Sequence, residues 1–247
     1  MTSGYFDFHE KVVIVTGASR GLGRAMALGF AGCGAKVVVS SRKRDACEAV
    51  AHEIEAQGGQ AIVAPCHVGE WAALPGFIDA VVSACGRIDV LINNAGIAPT
   101  ASSSLTVSEE LFDKTVSVNF KGPFRLSALA APHLRATHGC IINVTSIGAV
   151  KPEPAYPVYA AAKSALNVIT RAHAMEFGPA VRVNAIMAGP FWTDISRLWR
   201  EEYEKNPLSA ARRMGRPEEI VSTALYLASP RSTYTTGAII RLDGGIL

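Results

Sequence analysis

Lys11-Val12-Val13-Ile14-Val15-Thr16, followed without a break by Gly17-Ala18-Ser19-Arg20-Gly21-Leu22-Gly23, is the stretch on which the fold turns. Its first half is short, apolar and β-branched. Such a run has no polar face to give to water, so it reads as a strand buried on both sides of a parallel sheet. The glycines end the strand and open a helical segment over 24–32. The pattern then repeats. Strands are expected at 35–40, 60–65, 88–92, 140–144, 181–187 and 238–242. Helices are expected at 45–57, 77–85, 108–116, 120–137, 159–177 and 217–228. Asp45 and Glu48 are spaced as a capping pair, Gly58-Gly59 closes that helix, and Pro217 with its following acids opens the last one. Alternation of this kind predicts an α/β fold, a single doubly wound, Rossmann-like parallel sheet with helices on both faces. No linker, repeat or low-complexity tract divides it, so 1–247 reads as one domain.

Composition narrows the function. The chain has 247 residues, 49% of them apolar and 18% charged, which suits a protein with a sizeable core. A net charge of +3 without a long basic stripe argues against a nucleic-acid partner. Its densest basic run is Arg42-Lys43-Arg44. Five scattered cysteines with no C-x-x-C read as reduced thiols in a cytoplasmic setting. The first ten residues lack the apolar core of a signal peptide, no run reaches membrane-spanning length, and the terminal Gly-Ile-Leu is no sorting address. The six histidines show no metal-ligand spacing, so no catalytic metal is expected.

A glycine turn between a first strand and its helix brings backbone N–H groups and the positive helix end to a diphosphate. The common fingerprint is G-x-G-x-x-G, whereas this chain has Thr16-Gly17-x-x-x-Gly21-x-Gly23. Taken alone, that spacing also suits a purely structural tight turn. The residues after the second strand bear on the cofactor's 2′ position. An acid there would accept from a ribose hydroxyl and repel a phosphate. This chain places Ser40-Ser41-Arg42-Lys43-Arg44 there, with Asp45 too late to serve. Arg42, with Arg20 from the turn, offers guanidinium forks to a phosphate, so NADP(H) is favoured and NAD(H) remains open.

Tyr159 and Lys163 lie four residues apart in an alanine-rich helix and so leave the same face, thirteen residues beyond Ser146. By itself the pair is equally an ordinary surface contact.

Together the motifs carry more. Thr-Gly-x-x-x-Gly-x-Gly at 16–23, Asn93-Asn94-Ala95-Gly96, Asn119, Ser146 and Tyr159-x-x-x-Lys163 resemble the classical short-chain dehydrogenases/reductases. So do Arg216-Pro217-Glu218-Glu219-Ile220 and Leu242-Asp243-Gly244-Gly245, and the resemblance covers nearly the whole chain. It implies a catalytic tetrad of Asn119, Ser146, Tyr159 and Lys163. Tyr159 would exchange the proton, Ser146 would hold the substrate oxygen, and Lys163 would hold the ribose. Asn119 would position a water linking Lys163 to solvent. A free tyrosine ionises near pH 10. The Lys163 ammonium and the positive nicotinamide of the oxidised cofactor would favour its phenolate.

The resemblance further implies cofactor contacts at Gly17, Ser19, Arg20, Gly21, Leu22 and Gly23 in the turn, and at Ser41 and Arg42 after the second strand. Further contacts would fall at His67 and Val68, at Asn93, Ala95 and Gly96, at Tyr159 and Lys163, and at Gly189 and Thr193. Two stretches depart from the pattern. Cys66-His67-Val68-Gly69 stands where an aspartate usually meets adenine, so His67 would stack or bond there instead. Ala188-Gly189-Pro190-Phe191-Trp192-Thr193 replaces the usual Pro-Gly, although Thr193 still matches the position that meets the carboxamide.

Substrate contacts are expected after Ser146, from 152–156, and from a lid at about 190–214 carrying Phe191, Trp192, Ile195, Leu198, Trp199 and Tyr203. These aromatics suit a bulky carbonyl compound or, equally, packing within the lid or against another subunit. The motifs are closest to NADP-dependent carbonyl reductases. Alternatives are a 3-oxoacyl carrier protein reductase, a polyol or sugar dehydrogenase, and a dinucleotide sensor without chemistry. For the first, Arg125 matches one of two docking arginines but Met175 stands in place of the other. The sensor is disfavoured because all four tetrad positions are present. The family also implies a homotetramer or homodimer built on 120–137, 156–177 and the last strand.

Overall fold

The computed structural model describes residues 6–100, 103–197 and 199–246. Residues 1–5, Leu198 of the lid and Leu247 of the terminal tripeptide lie outside the described residues. Seven parallel strands form one sheet in the order β3-β2-β1-β4-β5-β6-β7. They are β1 (Val12–Thr16), β2 (Lys36–Ser40), β3 (Gln60–Val63), β4 (Val90–Asn93), β5 (Cys140–Ser146), β6 (Arg182–Ala188) and β7 (Ile239–Leu242). The expected single-domain, doubly wound sheet is what the chain adopts. Central β1 and β4 are buried throughout, as their solid apolar sequences require, while edge strands β3 and β7 are only partly covered.

Side-chain alternation along β1 divides the core. Val13 and Val15 enter a cluster with Met26 and Phe30 of α1 (Gly21–Ala31), Val50 and Ile54 of α2 (Arg44–Ala56), and Leu225 of a C-terminal helix described below. Val12 and Ile14 point the other way, to Phe77 and Val81 of α3 (Leu74–Cys85) and to Leu126 and Leu134 of a longer helix. That helix, α5 (Gly122–Thr137), follows α4 (Glu109–Val116). Beside it runs α6 (Pro157–Phe177), and α7 (Arg200–Lys205) and α8 (Val221–Ala228) complete the chain.

Several local expectations shift. The second helix begins from Lys43 without a side-chain cap, and Glu48 approaches Arg44 at 3.7 Å instead of completing a cap with Asp45. The last helix opens as a 3₁₀ turn, Pro217–Ile220, in which the Glu219 carboxylate accepts from Arg216 N at 2.7 Å. α4 and α5 are not separated by a break. A π-helical turn, Ser117–Lys121, joins them and carries Asn119.

The strand order reverses between β1 and β4, so neighbouring chain crossovers diverge to opposite faces there. The crevice left at the carboxyl ends of the strands is where this fold places ligands. Thr16, Asn93 and Ser146 all end strands on that rim.

Candidate active site

The glycine turn is held from behind. Asn94 donates its amide to Thr16 O at 2.8 Å and Gly17 O at 3.3 Å. Thr16 Oγ1 accepts from Asn94 N at 3.0 Å and Ala95 N at 3.1 Å, and donates to Ile92 O at 3.1 Å. Gly17 sits at φ 65° with the Ala95 Cα only 2.8 Å from where a Cβ would stand, so both conformation and space demand glycine. A Cβ on Gly23 would meet Gly17 O at 2.3 Å. At its N-terminus α1 has no side-chain cap and no acid in its first turn, while Ser19, Gly21 and Leu22 are partly exposed around it. Uncapped N–H groups at the positive end of a helix are the donor set that a diphosphate fits.

At the β2 end, Ala18 N donates to Ser40 O at 2.9 Å, tying the turn to Ser40-Ser41. Arg42 is exposed. Arg20, the other cation assigned to the 2′-phosphate, instead donates to Asp194 of the lid at 3.0 Å, because the turn directs it across the cleft mouth. His67 Nδ1 accepts from Gly69 N at 3.1 Å, which leaves Nε2 to carry the ring proton. Val68 is a core residue. Asn93 is buried, its Nδ2 donating to Ser127 Oγ at 3.0 Å and Asn143 Oδ1 at 2.9 Å while its Oδ1 has no hydrogen-bond partner. Gly189 packs against Asp243, whose Cα lies 2.6 Å from a notional Cβ, and Thr193 Cγ2 lies 3.2 Å from the same point on Gly21.

Ser146 closes β5, opposite Ala188 in the register, and its hydroxyl accepts from Gly148 N at 3.1 Å. Burial pushes the Tyr159 phenol pKa up, and the Ser146 side chain acts in the opposite direction with a smaller effect. Lys163, one turn on, is 4% exposed, donates to Val144 O at 2.8 Å and lies 5.9 Å from the Tyr159 ring centroid. Burial holds its pKa down to about 8. Desolvation acts on both groups and disfavours both charges.

Asn119 donates to Ile97 O and Thr115 O, each at 2.9 Å, and accepts from Ile97 N at 3.2 Å. Its amide therefore braces the loop leaving β4. Only Gly96 separates it from Lys163: a Cβ there would lie 2.9 Å from Asn119 Oδ1 and 3.5 Å from Lys163 Nζ. Tyr156 stands edge-on to Tyr159 at 5.8 Å, its pKa pushed up to about 12 chiefly by burial and then by Glu153. The support given by Thr16, Asn94 and Asp194 was not read from the sequence. Asn94 stood in a quoted motif, but its partners become neighbours only across the sheet.

The lid aromatics have local partners. Phe191 is buried against Gly215, Trp192 Nε1 donates to Glu204 at 2.8 Å under the Arg200 guanidinium, and Trp199 meets Tyr203 edge-on at 6.0 Å. Ile195 is exposed.

A parallel sheet reversing at a glycine turn, with a buried lysine beneath a tyrosine and serine on the same rim, defines a dinucleotide-binding α/β class. Comparison with known proteins narrows it. A family model described as enoyl-(acyl carrier protein) reductase matches residues 17–247. The human protein named dehydrogenase/reductase SDR family member 2, mitochondrial, is 34% identical over 95% of this chain and 86% of its own. The 3-oxoacyl-(acyl-carrier-protein) reductase of Thermotoga maritima is 34% identical over 96% and 98%. A solved structure described as a gluconate 5-dehydrogenase from Beutenbergia cavernae with bound NADP superposes with a TM-score of 0.92 at 31% identity, covering 98% of this chain and 99% of that one. The chain belongs to the classical short-chain dehydrogenase/reductase family and is an NAD(P)-dependent oxidoreductase.

Proposed function

We propose that this protein transfers hydride between NADP(H) and a carbonyl or secondary-alcohol substrate, with residues 1–247 acting as one cofactor-binding and catalytic domain under a lid at about 190–214. The observation that supports the reading is the buried Lys163 amine, 5.9 Å from the Tyr159 ring and anchored on Val144 O of the strand that ends at Ser146. The bound nicotinamide supplies or accepts the hydride. Everything else falls to the chain. In the reductive direction the Tyr159 phenol, kept protonated by burial, donates to the substrate oxygen while the Ser146 hydroxyl stabilises charge developing there. Lys163 holds the ribose and, when charged, favours the phenolate that remains. Asn119 holds the Ile97 loop against this group.

NADP(H) is favoured by the absence of an acid at 40–44 and by the exposed Arg42. A solved relative described as NAD(P)-dependent holds NADP at low occupancy. A carrier-protein substrate is suggested by two of the matches. Against it, the Arg125 guanidinium lies over Trp71 at 4.8 Å with its Nε buried, and exposed Met175 offers no charge. We therefore favour a free carbonyl compound and a carbonyl reductase activity. Five free thiols accord with a cytoplasmic setting. Among the described residues no helix is long and apolar enough to cross a membrane.

The test is a screen of ketones, aldehydes and alcohols with both cofactors, repeated with Tyr159→Phe. We expect NADPH-dependent reduction in the wild type and a kcat lower by about 10²–10⁴-fold in the variant with cofactor affinity retained. Full turnover by Tyr159→Phe would sink the acid/base assignment.

A further inference from the structure

We propose that Cys47 is a positioning residue for cofactor choice, acting through Ser41. This deepens the NADP(H) reading and rests on it. Cys47 lies in the first turn of α2, wholly buried, and its Sγ is 3.3 Å from Ser41 Oγ and 3.8 Å from Ser41 O, the thiol being the donor. Ser41 is the first residue past β2, beside the backbone bond that ties β2 to the glycine turn. Its own carbonyl also accepts from Cys66 N at 2.9 Å, so backbone and side chain are both held.

A hydroxyl has one proton and two lone pairs. The single thiol proton goes to the nearer Oγ, because Ser41 O already accepts from Cys66 N, and with that lone pair occupied Ser41 is left to present its own proton to whatever lies outside. A 2′-phosphate offers acceptors, whereas a ribose 2′-hydroxyl both donates and accepts and gains less from a fixed donor. The neighbouring Ser40 hydroxyl is buried and cannot substitute. A buried, uncharged group thereby biases the site towards the phosphorylated cofactor without touching it. Because a thiol is a weak donor, the effect should be small but specific.

Calorimetric dissociation constants for NADPH and NADH provide the test, since they need no knowledge of the substrate. The ratio of the two constants is compared in wild type, Cys47→Ala, Cys47→Val and Cys47→Ser, the first two bracketing the thiol in volume. We expect Cys47→Ala and Cys47→Val to narrow the preference for NADPH by about three- to tenfold, as loss of one modest hydrogen bond implies. Cys47→Ser, which keeps a donor, should restore it. In a Ser41→Ala background Cys47→Ala should change nothing further. An unmoved ratio in both Cys47→Ala and Cys47→Val overturns the proposal, as does an equal narrowing without the Ser41 hydroxyl. A wild type that prefers NADH overturns the cofactor reading and this inference with it. A wild type that prefers NADPH but ignores the Cys47 substitutions overturns only the latter.

Discussion

Burial holds the Lys163 amine at a pKa of about 8, below the ordinary 10.5, so the folded chain binds this proton less tightly than the unfolded chain does. Below pH 8 both states carry the proton and the folded state bears the whole cost of a buried charge. Between pH 8 and 10.5 the folded state releases it first, and this contribution makes stability rise with pH. Tyr159 acts oppositely, because its raised pKa lets the unfolded chain ionise first above pH 10. Lys163→Met removes the first effect. Without cofactor, its melting temperature relative to wild type should be highest at pH 7 and fall by pH 9.5. The change would reach at most about 3 kcal/mol at roughly 1.4 kcal/mol per pKa unit. Equal offsets at both pH values would show that the amine is not desolvated as described. At this scale the sequence made the pair visible but not the sign of its pKa shifts. Helical spacing says that two side chains share a face, whereas desolvation depends on the β5 backbone and the loops that close over them.

Among the elements, the β1–α1 turn is the most constrained. A methyl on Gly23 would fall 2.3 Å from Gly17 O and 2.4 Å from Asn94 Nδ2, and neither the backbone carbonyl nor the committed amide can easily yield. Gly23→Ala should therefore cost about 1–3 kcal/mol through overpacking, seen as a lower melting temperature, and weaken cofactor binding more than tenfold by displacing the turn. Unchanged affinity would mean that the turn does not form the cradle. The strands were legible because each is a solid apolar run. The π turn at Ser117–Lys121 was not: its sequence, Ser-Val-Asn-Phe-Lys, reads as a gap between two helices. What produces it is Asn119 bonding both backbone groups of Ile97, a partner 22 residues away. Likewise Phe191 reads as part of a substrate lid until Gly215 is brought beneath it.

Over the whole molecule, α6 turns Ala160, Leu166, Thr170 and Ala174 inward and leaves Val168 and Met175 on the opposite face, 65% and 86% exposed. These two lie seven residues apart on one stripe. Exposed apolar surface of this kind marks contacts between chains. We expect sedimentation velocity to show a homodimer or homotetramer, and the Val168→Glu/Met175→Glu double variant to sediment as a smaller species. An unaltered wild-type oligomer in that variant would move the interface elsewhere.

The sequence by itself determined the parallel sheet, the glycine turn and the family, and it supplied the tetrad positions proposed here. Each is written in local periodicity or in motifs whose spacing survives without coordinates. Tertiary structure alone decided that Arg20 reaches Asp194, that Asn119 braces Ile97, that Phe191 is core and that Cys47 stands behind Ser41. The first three depend on contacts between segments far apart in the chain. The last depends on the direction in which α2 leaves β2. Burial and hydrogen-bond partners are properties of folded neighbours, and no periodicity encodes which neighbour arrives.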